Sequence, residues 1–270
     1  MKARRVGKAE MTGAKRKYIE ATFELLVRDG LEGASIRKVA DELGCSSAAL
    51  YRHFPDINKL VAVASIRFLR DYVEDARLLS KVELNPLELN LQLWECLAFY
   101  SFRNADVFEN LFFGAADDAF YSEAVSEYFT EYPEDLMGLK DFMFDMFMNA
   151  TIEERDSILL ERAEREGMIE HASYEYLRKV DTYLYRGMLA SLRGKQLDDE
   201  DFRAATREFM NLIVHGYRTQ LKDGYSILVV SPDFEVEHTL YEPDSRTSFR
   251  VKIVHMPERT HEKGRAIATA

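Results

Sequence analysis

The sequence has few of the residues that disulfide frameworks and membrane spans require. Cys45 and Cys96 are its only cysteines, too few for a disulfide framework, so we expect a reducing, cytoplasmic environment. No apolar run approaches the roughly 18 residues that a membrane-spanning helix needs. The basic N-terminus is not followed by an apolar stretch, so no secretory signal is predicted. These absences favour a soluble cytoplasmic protein.

Motifs of enzyme chemistry are also lacking. The histidines lie far apart, at His53, His171, His215, His238, His255 and His261. None belongs to an H-E-x-x-H motif, the cysteines have no metal-site spacing, and there is neither a glycine-rich phosphate loop nor a G-x-S-x-G motif. We therefore predict no metal, no cofactor and no enzymatic activity. A catalytic triad assembled only in the folded chain is the one remaining route to an enzyme.

The net charge of −11 is unevenly distributed along the chain. Residues 1–60 contain 12 Lys and Arg against 8 Asp and Glu, a net charge of +4. The other 210 residues contain 24 against 39, a net charge of −15. A basic head on an acidic body is typical of a protein whose head alone contacts nucleic-acid phosphates.

Two short helical patterns meet at a glycine within the basic head. Ser35 is a natural N-cap for the first helix. Its buried face would hold residues at helical spacing, namely Ile36, Val39, Ala40 and Leu43. Gly44 can take the left-handed conformation that ends a helix, and a second helix begins at Ser46 or Ser47. This pattern predicts a helix-turn-helix, although any αα-hairpin would share it.

The outward face of the second helix favours DNA binding over a purely structural hairpin. It carries small or flat hydrogen-bonding side chains, namely Ser46, Ser47, Tyr51, Arg52 and His53. Such groups suit phosphates and base edges. The planar guanidinium of Arg52 makes it the best candidate for a bidentate contact with guanine.

A stretch of about 50 residues around this motif resembles the DNA-binding domain of the tetracycline-repressor (TetR) family of transcriptional regulators. The resemblance rests on Leu50-Tyr51-Arg52-His53-Phe54, on Leu60, and on Val39-Ala40 followed by Leu43-Gly44. It implies that a first helix packs over the helix-turn-helix and that a long fourth helix leads to a ligand-binding body. It also implies a dimer that reads a palindromic operator.

The resemblance assigns roles to individual side chains. Ser35 and Arg37 would contact phosphates, and Tyr51 and His53 would hold the DNA backbone. Ser46, Ser47 and Ala48 would face base edges beside Arg52. The family usually has a phosphate-binding lysine at the start of helix 4, where this chain has Ile57. Lys59 is the candidate replacement.

Beyond the head, helical patterns follow one another with little strand signal until residue 222, and three β-type runs then predict a small antiparallel sheet. The expected fold is all-α, with a three-helix head, a helical-bundle body and a C-terminal β extension. We divide the chain into a disordered basic arm (1–13), a helix-turn-helix DNA-binding domain (14–60), a helical ligand-binding and dimerisation domain (61–222), a β-hairpin or small sheet (223–256) and a flexible tail (257–270).

The resemblance further implies an effector pocket and a dimer seam in the body. Aromatic residues and methionines would line an apolar pocket, with Trp94, Phe99, Phe102, Phe113, Met143, Phe144, Phe147 and Tyr183 as candidates. Helices at 173–192 and 198–221 would pair with a second subunit. The predicted function is a homodimeric repressor that a small apolar effector releases from DNA; the alternative is control of the same fold by a protein partner.

Overall fold

The computed structural model describes residues 3–81, 83–114, 118–139, 141–148 and 151–227. The head contains α1 (Ala3–Gly33), α2 (Ile36–Glu42), α3 (Ser47–Leu50) and α4 (Ile57–Ile66). A 3₁₀ turn at Arg67–Leu69 joins α4 to α5 (Arg70–Leu79). The body continues with α6 (Pro86–Phe102), α7 (Ala105–Phe113), α8 (Asp118–Glu131), a 3₁₀ turn (Pro133–Leu136), α9 (Asp141–Met148), α10 (Ile152–Arg165), α11 (His171–Leu192) and α12 (Asp199–Gln220).

Side-chain caps fix where several helices begin. A capping box begins α10: Thr151 Oγ1 accepts from the Glu154 amide at 3.0 Å, and the Glu154 carboxylate accepts from the Thr151 amide at 3.2 Å. Asn85 and Glu88 form the same arrangement at the start of α6, where Pro86 occupies the first helical position. These caps satisfy backbone donors that would otherwise have no partner.

The helix α6 is the centre of the body. Every residue of α6 except Glu88 is buried. Five helices pack around it, namely α5, α7, α10, α11 and α12. A helix that is apolar on all sides belongs in the interior of a domain, and α6 has this character because leucines and aromatic residues recur all round it.

The N-terminal end of the structure differs from the disordered arm predicted for residues 1–13. The helix α1 begins at Ala3 and is interrupted by Gly30, which has φ of 67° and ψ of −168°. Residues 3–13 contain alanine, arginine, lysine, glutamate and methionine, which favour helix, and no proline that would stop it. The prediction relied on the scarcity of apolar residues, which helix formation does not require.

The C-terminal β extension was predicted for residues 223–256, and only its first five residues are described. Asp223 and Gly224 form a turn, and residues 225–227 belong to neither a helix nor a strand. The Tyr225 hydroxyl donates to the Glu166 carbonyl oxygen at 3.0 Å, which holds this segment against the end of α10. The other predicted strand residues, 228–256, and the tail at 257–270 lie outside the described residues.

The length and hydrophobicity of the helices bear on whether any of them could span a membrane. None of those that the structure describes combines the length and the hydrophobicity needed to cross a bilayer.

Candidate DNA-binding surface and ligand cavity

The turn between α2 and α3 forms as the sequence predicts. The Ser35 hydroxyl accepts from the Lys38 amide at 3.2 Å and caps α2. Gly44 has φ of 60°, a conformation that L-residues rarely adopt. The Cys45 amide donates to the Ala40 carbonyl oxygen at 2.9 Å and closes the end of α2. The chain thereby reverses within a few residues and starts α3.

The inward faces of α2 and α3 are anchored in the head core. Val39, Ala40, Leu50 and Phe54 are buried, with exposures of 0–2%. Phe54 lies just after α3 and fixes the end of the motif. Because one face of each helix is held in this way, the opposite face is presented to solvent in a defined orientation.

Most of the predicted DNA-contacting residues lie on this solvent-facing side. Ser46, Ala48 and Arg52 are exposed, and Tyr51 is 57% exposed despite its large apolar ring. Ser47 and His53 are partly buried. The structure therefore leaves an aromatic ring and a guanidinium exposed on the two residues that follow α3.

Positively charged side chains surround His53, next to α3. Its pKa is lowered by partial burial and then by the charges of Lys15, Lys17 and Arg52. The ring lies 5.3 Å from that of Tyr18 on α1, so α1 brings its cations to the same edge. Lys15 is ion-paired with Glu127 of α8, so the exposed cations here that suit contact with phosphates are Lys17 and Arg52. The sequence reasoning did not single out Lys17, whose only local signal is its position before the buried Tyr18.

The two predicted phosphate contacts of α2 differ in exposure. Arg37 is almost fully solvated, with 90% of its side chain exposed and its nearest acidic partner, Asp41, at 3.9 Å. Ser35 is partly buried and its hydroxyl oxygen already accepts the capping bond, which leaves its own proton available for donation.

The structure does not place Lys59 with the other predicted DNA contacts. Its side chain is only 9% exposed, and its Nζ lies 2.9 Å from Oε2 of Glu123 on α8. The same ammonium group sits 5.2 Å from the centre of the Phe120 ring. Lys59 therefore joins α4 to the body in this structure. On a helix, a residue two positions beyond Ile57 points to another side, which is why it does not occupy the place of the family's lysine.

Residues 19–64 match the model for bacterial regulatory proteins of the tetR family. The chain carries a TetR-family DNA-binding domain. The matched segment contains the whole helix-turn-helix, the Leu50-Tyr51-Arg52-His53-Phe54 stretch and most of α4, which confirms the predicted resemblance. This TetR domain is the N-terminal head of the chain.

Several solved structures are similar over about three quarters of this chain. PfmR from Thermus thermophilus, a TetR-family transcriptional regulator, is 19% identical, with a TM-score of 0.46 over 74% of this chain and 97% of its own. Mycobacterium smegmatis BioQ is 18% identical, with a TM-score of 0.45 over 76% and 98%. Thermus thermophilus FadR, a TetR-family repressor in complex with lauroyl-CoA, is 14% identical, with a TM-score of 0.47 over 75% and 94%.

The sequence identities and TM-scores of these structures are low, so the family match applies to residues 19–64 and rests on the model of the TetR domain. The comparison with curated proteins gives no significant match.

In the body behind the TetR domain, the structure separates the predicted effector-binding residues. Only two of them, Trp94 and Phe147, line a common cavity. Phe99 and Phe102 are buried in the core, where their rings pack on Phe202, Phe209 and Tyr185, and Met143 is buried without lining that cavity. Phe113 packs against Tyr185 under Arg186.

Two further predictions for this pocket are corrected. Phe144 is 44% exposed and Tyr183 is 66% exposed, so both face outwards. Helical spacing placed them among apolar neighbours in the sequence, but the turn of α9 and of α11 directs them away from the core.

The cavity beside Trp94 lies between α5, α6, α9 and α10 and is small, with a volume of about 20 Å³, room for about one water molecule. Its walls are mostly apolar, with Tyr72, Leu93, Trp94, Leu97, Met146, Phe147 and Ile152. Three polar residues join them, namely Asn90, Arg155 and Asp156. The sequence reasoning found no charged group for this site because α10 reads as an ordinary amphipathic helix.

A buried hydrogen-bond network runs from the cavity to α12. Oδ1 of Asp156 accepts from Asn90 Nδ2 and from Trp94 Nε1, each at 2.7 Å. The same Asn90 amide donates to the Tyr217 hydroxyl at 2.7 Å, and Tyr217 donates to Oδ2 of Asp181 at 2.8 Å. Burial raises the pKa of Asp156 to about 7, and it also raises the pKa of Asp181.

Arg155 forms the opposite end of the polar part of the cavity. Its guanidinium donates to the Tyr121 hydroxyl and lies 5.1 Å from the centre of the Phe112 ring. Burial lowers its pKa to about 10, so it remains a cation at neutral pH. The neighbouring residues Arg155 and Asp156 thus add a cation and a titratable carboxyl group to the cavity lining.

One side of α11 exposes two aromatic and two small residues to solvent. Tyr176, Tyr183, Gly187 and Ala190 follow one another at helical spacing and all are exposed. A Cβ at Gly187 would meet nothing within 4 Å, so packing inside the chain does not require glycine there. On α12, Ala204 and Leu212 are exposed as well, whereas Ala205 is buried within the chain. We call the exposed residues of both helices the α11–α12 face.

Proposed function

We propose that this protein is a homodimeric repressor that binds a palindromic operator and leaves it when a small, largely apolar effector occupies the body. The observation that supports DNA binding is the exposed pair Tyr51 and Arg52 just after α3, within a TetR-family domain and close to the exposed Lys17. Phosphate neutralisation supplies affinity, and the guanidinium supplies base selectivity.

The α11–α12 face supports the dimer. One short recognition helix reads too few base pairs to specify an operator, so two heads are needed. The face offers small residues that allow close helix packing and Leu212, whose side chain is half exposed in the single chain. A second subunit that pairs its own α11 and α12 with these helices would bury this apolar surface.

The cavity supports control by a small molecule, because it reaches the helix that leads to the head. Tyr72 of α5 lines the cavity, and α5 is joined to α4 by a single 3₁₀ turn. A ligand that displaces the Tyr72 ring would shift α5 and with it α4 and the recognition helix. The ligand can change DNA affinity only as far as it binds one head position better than the other.

Selection of bound sequences from random duplex DNA tests this proposal with the full chain. We expect an enriched palindrome with two half-sites about one helical turn apart. Arg52→Ala should relax the preference at one base pair of each half-site, at a cost of about 1–3 kcal/mol. The matched control Arg218→Ala removes an exposed arginine from the body and should leave the selected sequence unchanged.

A reporter gene with the selected palindrome at its promoter tests the regulatory direction. Expression of the protein should lower reporter output, and Arg52→Ala should restore it. Higher reporter output would make the protein an activator. If a protein partner, and no small molecule, released the chain from DNA, the partner-controlled alternative would be favoured. Failure to enrich any palindrome would exclude the operator-binding model itself.

A further inference from the structure

Helix α8 of the body pairs two of its acidic residues with cations of the head. Oε2 of Glu123 lies 2.9 Å from Nζ of Lys59 on α4, and Glu127 pairs with Lys15 on α1. Glu123 and Glu127 are four residues apart, so they share one face of α8. Carboxylates of the chain itself therefore occupy ammonium groups of the head, as a DNA phosphate would.

Of these two cations, Lys15 is the one that lies beside the predicted DNA-binding residues. Its Nζ is 5.5 Å from the centre of the Phe54 ring, at the end of the helix-turn-helix. Partial burial and then the charge of Lys15 lower the pKa of the neighbouring His53. Lys59, by contrast, lies over the Phe120 ring of α8. Lys15 is thus placed to meet a phosphate once its contact with Glu127 breaks.

The pair of Lys15 and Glu127 is sheltered from solvent. Only 26% of the Lys15 side chain and 19% of the Glu127 side chain are exposed. A second carboxyl group, that of Glu131, lies one turn further along α8; burial raises its pKa and the charge of Lys15 lowers it. Moving Lys15 to a phosphate would leave Glu127 in a sheltered site without its cation, which costs free energy. The wild-type protein therefore retains the internal pair.

We propose that Glu127 is an internal competitor of DNA, which keeps Lys15 away from the phosphates beside the recognition helix and so lowers the DNA affinity of the head. This inference rests on the proposed DNA binding and adds an autoinhibitory contact to it. A displacement of α8 away from α1 would release the cation. The body thereby sets how many cations the head presents to DNA.

Salt titrations of DNA binding test this competition in the full chain, with fluorescence anisotropy of a labelled duplex of arbitrary sequence. Glu127→Gln should bind about fivefold more tightly near 0.1 M salt, and its slope of log affinity against log salt should steepen by about 0.9, because one more cation reaches a phosphate. Lys15→Ala alone should leave the wild-type slope unchanged.

The double variant separates a released lysine from a general change in charge. Lys15→Ala combined with Glu127→Gln should bind DNA as Lys15→Ala does, because the cation that Glu127→Gln releases is then absent. If the double variant keeps the gain in affinity and slope, the loss of negative charge causes the gain and the proposal is wrong.

Glu123→Gln is the matched control for Glu127→Gln. It removes the same charge from the same face of α8, one turn away, and it releases Lys59, which lies away from the predicted DNA-binding residues. The salt slope of this variant should equal that of wild type. A slope as steep as that of Glu127→Gln would assign the effect to the overall charge of α8 and contradict the proposal.

Acetylation of lysines, followed by mass spectrometry, tests the contact in the wild-type protein and does not depend on the folding of any variant. Without DNA, Lys15 should react more slowly than Lys17, which is exposed on the same helix. Adding the duplex should leave the rate at Lys15 unchanged in wild type and lower it in Glu127→Gln. Protection of Lys15 by DNA in the wild type would refute the competition.

These measurements also distinguish this inference from the proposed function. No duplex binding by the wild type would refute the proposed function and this inference together. Duplex binding that Glu127→Gln leaves unchanged in affinity and salt slope would refute this inference alone.

Discussion

Asp156→Asn should change how the stability of the protein depends on pH. Burial raises the pKa of Asp156 from 3.8 to about 7, so the folded protein retains a proton that the unfolded chain releases. Its stability contribution is complete below pH 3.8 and is lost as pH rises through about 7. Asparagine does not titrate, and its oxygen can still accept from Asn90 and Trp94.

The magnitude follows from the shift in pKa. A difference of roughly three units corresponds to about 4 kcal/mol, because each unit contributes about 1.4 kcal/mol. The free energy of unfolding of the variant, measured relative to wild type, should therefore rise by up to ~1.4 kcal/mol per pH unit between about pH 4 and pH 7. The difference in unfolding free energy between variant and wild type at low pH also depends on how well the amide of the variant replaces the hydrogen bonds of the carboxyl group. The prediction therefore concerns the slope of this difference with pH.

Urea unfolding followed by Trp94 fluorescence at several pH values measures this slope. Asp223→Asn is the matched control, because Asp223 lies in an exposed turn. The control should follow the wild-type pH profile. If Asp156→Asn also runs parallel to wild type across this range, the carboxyl group is ionised in the folded protein and the account of the buried network is wrong.

Further predictions concern assembly and the cations of the head. Leu212→Glu should convert dimers to monomers in analytical ultracentrifugation. The control Met137→Glu changes an exposed residue outside the α11–α12 face and should leave the dimer intact. If both variants are monomers, or both are dimers, the proposed dimer interface is wrong. Lys59→Ala should lower stability by about 1 kcal/mol and leave the salt dependence of DNA binding unchanged, because its ammonium already pairs with the body. Lys17→Ala should reduce the slope of that salt dependence by about one, and equal slopes for both lysine variants would argue against this division of roles.

The head could be predicted from the sequence because its determinants are local. The cap at Ser35, the left-handed Gly44 and the apolar spacing around Val39 all act within about ten residues of one another. Most of the predicted DNA-contacting side chains also lie within one short segment, so the exposure of Ser46, Ala48 and Arg52 follows from the local helix. Lys59 shows the limit of this reasoning, because its environment depends on Glu123, which is distant in sequence and lies on α8.

The ligand cavity could not be predicted in the same way. Helical spacing indicates that an aromatic side chain is buried, but it does not distinguish Phe102, which packs into the core, from Phe147, which borders empty space. The polar residues of the site, Asn90 and Asp156, lie on helices that meet only in the folded body. Their partnership depends on tertiary packing, which a single sequence does not specify.

Quantitative binding of the full chain to its selected palindrome tests the central claim most directly. Fluorescence anisotropy should show two chains per duplex and an affinity at least about a thousandfold higher than for random DNA of equal length at the same salt concentration. Arg52→Ala should remove most of that preference while weaker, salt-dependent binding persists. Equal affinity for the palindrome and for random DNA would contradict sequence-specific recognition by α3.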